Sequence, residues 1–131
     1  MISTKGRYAL RVMIDLAETG ADRGVPLKDV ASRQDISKKY LEVIVKDLVK
    51  AGLVSGASGR GGGYRLTKAP EDYTVGEILE ASEGPFAPVA CLSKDSPACP
   101  RADECRTLPI WEEFGRLAKN YSDSKKLTDL I

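Results

Sequence analysis

Apolar residues recur at three- and four-residue steps in several stretches of the chain, and each such stretch predicts an amphipathic helix. In residues 3–19, Tyr8, Ala9, Val12, Met13, Leu16 and Ala17 stack on one face, and Gly20 is a stop signal. After a loop over 21–25, Pro26 takes a favoured first-turn position, and Leu27, Val30 and Ala31 supply the inner face of a short helix ending near Gln34. Ser37 then caps a third helix. Its expected buried stripe is Tyr40, Leu41, Ile44, Val45, Leu48 and Val49, leaving Lys38, Lys39, Glu42, Val43, Lys46 and Lys50 outward or flanking. The tight link over 34–36 is that of a helix-turn-helix pair, whose second helix is the one offered to a major groove.

Beyond Gly52 the period changes. Leu53 and Val54 begin a strand, Tyr64, Arg65 and Leu66 return as a second, and the glycine-rich segment 55–63 between them carries Arg60 at its tip. Helix, strand, glycine loop, strand is the pattern of a recognition helix followed by a wing. Glycines let such a loop approach a nucleic-acid backbone, and an arginine there suits a narrow minor groove. A phosphate-cradling P-loop is the competing reading of 59–63, but no Gly-Lys-Ser/Thr follows. Thr74 and Glu77 make a capping box for a helix over 75–82, with Val75, Ile78 and Leu79 facing the winged unit. Gly84, Pro85 and Pro88 break the pattern. From Thr107 onward Ile110, Trp111, Phe114, Leu117, Ala118 and Tyr121 again follow helical spacing, with the tail residues Leu127, Leu130 and Ile131 placed to close over the other end. A long amphipathic helix at the end of so small a chain wants a partner surface, and the same helix of a second subunit is the economical one. The expected fold class is therefore mainly α with a small β wing. It divides into a winged helix-turn-helix unit over 1–84, a cysteine-containing loop over 85–106, and a dimerisation helix and tail over 107–131.

Charge sharpens this picture. Residues 1–70 hold 13 Lys and Arg against 7 Asp and Glu, a net +6, while residues 71–131 hold 7 against 12, a net −5; together these give the +1 of the 131-residue chain. A basic half beside an acidic half is expected when one end meets a polyanion. On the third helix, Lys38 and Lys39 can donate to guanine acceptors, Glu42 can accept from a cytosine amino group and Val43 can pack on a thymine methyl, whereas Lys46 and Lys50 suit phosphates. Lys5, Arg7 and Arg11 crowd the start of the first helix, where they oppose the helix dipole by about 0.3–1 kcal/mol. A phosphate facing that end reverses the sign of the argument. No apolar run approaches the roughly 20 residues that span a bilayer, and the first residues lack a secretory apolar stretch, so a cytoplasmic location is expected.

Three cysteines, Cys91, Cys99 and Cys105, fall within fifteen residues, and the chain has no histidine. An odd number of thiols without a secretion signal argues for metal or redox chemistry rather than a disulfide framework. The spacing Cys-x7-Cys-x5-Cys lacks the paired Cys-x2-Cys steps and four ligands of a zinc ribbon, whereas an iron-sulfur cluster tolerates varied spacing; unmetallated reactive thiols are the alternative. With no His, no P-loop lysine and no paired catalytic carboxylates, an enzyme is not expected.

The opening Ile2-Ser3-Thr4-Lys5-Gly6-Arg7-Tyr8-Ala9, the run Ile36-Ser37-Lys38-Lys39-Tyr40-Leu41-Glu42, the segment from Leu53-Val54 through Gly61-Gly62-Gly63-Tyr64, and the three cysteines together resemble the Rrf-type family of bacterial regulators that includes IscR, NsrR and CymR. The resemblance runs over essentially the whole chain. It implies a homodimeric winged-helix transcription factor on a near-palindromic double-stranded DNA operator. In the cluster-bearing branch it further implies an iron-sulfur cluster, 2Fe-2S or 4Fe-4S, on Cys91, Cys99 and Cys105. By position it places Ser37, Lys39, Tyr40 and Glu42 at the major groove and Ser58, Gly59 and Arg60 at the wing. Two departures leave the fourth ligand open. Where IscR-like members have a histidine three residues after the last cysteine this chain has Leu108, and where NsrR-like members use an aspartate from the partner's first helix it has Tyr8. Asp103, Glu104, a partner-subunit carboxylate such as Asp15, or an exogenous small molecule are the candidates. Cluster-free alternatives are thiol- or zinc-based sensing and a response to a partner enzyme, as in CymR-like members.

Overall fold

Wherever the sequence repeats apolar residues at helical spacing, the computed structural model, which describes residues 2–20 and 23–131, forms a helix: α1 (Thr4–Thr19), α2 (Leu27–Gln34), α3 (Lys38–Lys50), α4 (Val75–Glu83) and α5 (Leu108–Ser124). Residues 21 and 22 of the expected loop lie outside the described residues. One core gathers Ala9, Val12, Met13 and Leu16 of α1, Leu27 and Val30 of α2, Leu41, Ile44, Val45 and Leu48 of α3, and Ile78 of α4. Pro26 stands one residue before α2, at its N-cap, and its carbonyl accepts the Asp29 N–H at 3.1 Å. The turn into α3 passes through Asp35 in the left-handed region (φ 53°), where Asp is among the few side chains tolerated, and then buries Ile36.

The stripe on α3 differs from expectation at two positions. Val49 is 41% exposed, and Tyr40 is half-buried with its ring 5.8 Å from that of Tyr8. Leu41, Ile44, Val45 and Leu48 follow the i, i+3, i+4, i+7 rule, but at i+8 Val49 has turned about 80° around the helix from Leu41 and faces the wing.

The wing is an antiparallel pair, β1 (Val54–Ala57) and β2 (Gly63–Leu66), in the register Val54 to Leu66 and Ala57 to Gly63. Val25, expected in a loop, instead bridges β2: its N–H donates to the Tyr64 carbonyl at 2.8 Å, and the Tyr64 N–H donates back at 2.9 Å. Gly63, at φ 126°, makes this possible, since a Cβ there would sit 2.6 Å from the Val25 carbonyl carbon. The far end of the wing is pinned by Tyr73, which is fully buried. Its hydroxyl donates to the Leu53 carbonyl at 2.6 Å and accepts the Thr67 N–H at 2.9 Å.

The capping box at α4 forms as expected: Thr74 Oγ1 accepts the Glu77 N–H at 3.1 Å, and the Glu77 carboxylate accepts the Thr74 N–H at 3.2 Å. α4 runs to Glu83, and Gly84 (φ 80°) opens the cysteine loop. That loop lies over α5, with Phe86 and Phe114 ring centroids 6.5 Å apart. No residue of α5 is buried, yet the chain just after it returns to the core: Leu127 is fully buried, and its N–H donates to the Tyr73 carbonyl at 3.0 Å. Leu130 and Ile131 of the tail remain exposed. Among the described residues no helix is long and apolar enough to cross a membrane.

Candidate functional site

Two regions carry the chemistry that the sequence singles out: the face made by α3 with the wing, and the cysteine loop. On the first, the Ser37 hydroxyl accepts the Tyr40 N–H at 3.1 Å, closing the N-terminus of α3 so that its first turn projects outward. Lys38, Lys39, Glu42, Val43, Lys46 and Lys50 are exposed along this helix. Between α3 and the wing runs a cleft of about 470 Å³ that brings Glu42, Lys46 and Ser58 together with Val49 and Tyr64. The Tyr64 ring lies against Gly56, where a Cβ would stand 2.7 Å from it, so the wing is thin at this point. Ser58, Gly59 and Arg60 form the exposed tip, closed by the Gly62 N–H donating to the Gly59 carbonyl at 3.0 Å. Basic and hydrogen-bonding groups along a helix, beside a thin exposed wing, are the donor set that a duplex backbone and base edges require.

The basic side chains at the start of α1 have partners within the chain. Lys5 is engaged with Asp47 of α3, so it ties two helices together. Arg7 is exposed, with Nη2 donating to Thr4 Oγ1 at 3.2 Å. Arg11 spans α1 and α2: its guanidinium donates to the Gln34 side chain and carbonyl and stands 5.0 Å from the Tyr8 ring centre.

The cysteine loop holds Cys91 exposed on a short turn, Ala90–Leu92, and Cys99 and Cys105 half-buried. Hydrogen bonding to the Thr107 hydroxyl, 3.4 Å away, and to its backbone N–H holds the Cys105 thiol below its ordinary pKa. Among the described residues no three Cys, Asp, Glu or His side chains converge as a metal cage does. Three soft thiols are present, one short of a full ligand set, and in this arrangement they do not converge on one point as a preassembled cluster site does. Asp15, a candidate fourth ligand, is also committed elsewhere. It is buried, and Arg33 donates to it at 2.8 and 3.0 Å and Gln34 at 3.0 Å. Burial alone raises the Asp15 carboxyl, but these bonds and one from Thr19 outweigh it and hold the pKa below the ordinary value.

Residues 2–131 match the family model described as "Rrf2: Iron-dependent Transcriptional regulator". It belongs to the Rrf2 family. The relatives are regulators. The chain is 38% identical over 130 residues to protein Rrf2 of Nitratidesulfovibrio vulgaris, covering 99% of this chain and 86% of that protein. It is 35% identical over 130 residues to the HTH-type transcriptional regulator IscR of Aliivibrio salmonicida, covering 99% and 76%. Its fold superposes with a TM-score of 0.78 on CymR, the global cysteine regulator of Bacillus subtilis, at 37% identity, with 99% of this chain and 95% of that one covered. As an Rrf2-family protein, the chain is a DNA-binding transcriptional regulator built on a winged helix, and its relatives are not enzymes.

Sequence reasoning passed over two groups that shape this site, and it named Asp15 only as a ligand candidate without its Arg33 partner. Tyr73, like Asp15, acts through partners remote in sequence, which no local pattern reveals. Glu83 was also missed. Its carboxylate accepts the Ser3 N–H at 3.0 Å and the Gly6 N–H at 2.7 Å, and the signal available was a glycine inside an otherwise regular helix.

Proposed function

We propose that this Rrf2-family regulator works in the cytoplasm as a homodimer on a near-palindromic operator, and that its cysteine loop carries the signal. The observation behind the dimer is the outer face of α5, where Ile110, Phe114, Leu117 and Tyr121 are 62%, 53%, 61% and 67% exposed on consecutive turns of one helix. A stripe of large apolar side chains at this spacing is the surface that a second copy of the helix covers. A groove of about 610 Å³ between α4, α5 and the start of the cysteine loop continues this face.

In each protomer Ser37, Lys38, Lys39, Tyr40 and Glu42 at the start of α3 meet base edges, and Tyr40, leaning on Tyr8, also sets the angle of that turn. Lys46 and Arg7 meet phosphates, and Ser58, Gly59 and Arg60 follow the backbone into the adjoining minor groove. Lys5 acts through Asp47 rather than on DNA. For the signal, the dispersed thiols support individually reactive cysteines. An iron-sulfur cluster on Cys91, Cys99 and Cys105 is the second reading, favoured by the iron dependence in the family's description. Anaerobic purification followed by visible absorption and iron and sulfide analysis separates the two: a brown protein with stoichiometric iron and sulfide establishes the cluster. A colourless protein whose thiols alkylate one by one establishes the thiols. The DNA role is tested by selecting duplexes from a random pool; recovered sites without two related half-sites about 34–36 Å apart would refute the dimeric reading.

A further inference from the structure

The first turn of α1 is bonded on one side to the end of α4, from which the cysteine loop leaves, and on the other to α3. On one side of that turn, Glu83, the last residue of α4, accepts the backbone N–H groups of Ser3 and Gly6 at 3.0 and 2.7 Å, and the Ser3 hydroxyl as well. The α1 N-terminus otherwise has no side-chain cap, since Ser3, at the N-cap position, makes no capping bond of its own. Its unpaired donors are therefore satisfied from a residue 77 to 80 positions away. On the other side, Lys5, within the same turn, is paired with Asp47 of α3. Directly after Glu83, Gly84 (φ 80°) starts the cysteine loop, whose Phe86 and Pro88 rest on Phe114 and Gly115 of α5.

We propose that Glu83 is a positioning residue that transmits the state of the cysteine loop to the recognition helix by clamping the first turn of α1. This rests on the reading of the loop as the sensor, and it adds the route by which the loop reaches DNA. Displacement of the loop on α5 pulls on Gly84 and withdraws the Glu83 carboxylate. The Ser3 and Gly6 donors are then uncapped, the first turn frays, and Lys5 releases Asp47, loosening the exposed half of α3. Burial raises the Glu83 carboxyl while the Ser3 and Gly6 bonds lower it, and the net is a pKa below the ordinary value, as a carboxylate that must stay charged to cap a helix requires. Gly6 belongs to the same device: a Cβ at that position would overlap the Glu83 carboxylate, with the Glu83 Cγ 2.8 Å away.

Hydrogen exchange on residues 3–8 and 38–47, with the full chain and before and after alkylation by iodoacetamide, tests the route. In the wild type, alkylation is expected to speed exchange in both segments by about tenfold. In Glu83→Ala both segments should already exchange at that faster rate and alkylation should change neither, while Glu83→Gln, which keeps an acceptor oxygen, should fall between. A thermal melt adds an independent sign. Gly6→Ala should lower Tm in the wild type, because the methyl displaces Glu83, yet raise it in the Glu83→Ala background, where only the better helix propensity of alanine remains. Exchange over 3–8 that ignores Glu83→Ala, alkylation that leaves both wild-type segments unchanged, or alkylation that opens them equally in Glu83→Ala would each overturn the proposal. Duplex binding measured on the same samples keeps the two readings apart. A chain that binds no selected duplex but shows the exchange pattern contradicts the operator reading alone.

Discussion

Glu42 and Lys46 stand one turn apart on the exposed side of α3 and open into the same cleft, yet the proposed reading gives them different work. An ammonium on a phosphate is indifferent to sequence, so Lys46→Ala should weaken binding to every duplex and reduce the log–log salt slope by about 0.9, read from titrations at several salt concentrations. A carboxylate on a cytosine amino group is not indifferent. Glu42→Ala should leave the slope unchanged and relax preference at particular base pairs by about 1–3 kcal/mol, read by repeating the site selection with the variant. Tyr73 makes the corresponding argument for stability. Its hydroxyl serves the Leu53 carbonyl and the Thr67 N–H in a fully buried setting, so Tyr73→Phe leaves an acceptor and a donor short of a partner. The expected loss is about 1–3 kcal/mol in urea unfolding at fixed protein concentration, with the wing's amides exchanging faster than those of α1.

At the level of elements, helices with their own caps and complete apolar stripes were legible in the sequence. α3 with Ser37 and α4 with Thr74 and Glu77 are closed by residues within four positions of each other, so the local pattern contained the whole cause. What escaped had causes elsewhere in the chain. Val49 reads as core by its helical spacing and is exposed because the helix has turned past the core by that point. Val25 reads as loop and becomes a strand neighbour because Gly63, far along the chain, leaves room for it. Lys5 reads as a residue that could face a phosphate, and its Asp47 partner on α3 could not be foreseen. The candidate site was legible in the same measure: exposed residues of α3 and the wing follow from spacing, whereas the arrangement of three thiols in a loop interrupted by prolines does not. The joint between α1 and α2 shows how such remote pairing reaches stability. Asp15 is held below its ordinary pKa by Arg33, Gln34 and Thr19, so its contribution is complete above the unfolded carboxyl value near 3.9 and is lost as pH falls through the lower folded value. Asp15→Asn should cost about 1–2 kcal/mol at neutral pH, discounted because the Arg33 side chain is 41% exposed, and should flatten the fall in stability below about pH 4 in pH-dependent melts.

For the whole molecule, the dimer reading concentrates on one face. Leu117→Glu places a charge in the middle of the apolar stripe of α5 without touching the core, because Leu117 is 61% exposed. Sedimentation should show a folded monomer, and affinity for a two-half-site duplex should drop toward that for a single half-site. The C-terminal end of α5 is fastened to the same core that carries α3, through Leu127 beneath Tyr73 and through the Val75 N–H donating to the Lys125 carbonyl at 2.8 Å. In the dimer reading, the winged unit and α5 consequently turn as one piece, like the arm of a pair of calipers. Seventeen residues at 1.5 Å per residue make an arm of about 25 Å, so a 10° change where two such arms cross moves its end by about 4 Å. One base pair occupies about 3.4 Å of duplex, so a pivot of that size is enough to put the two tips out of step with the groove.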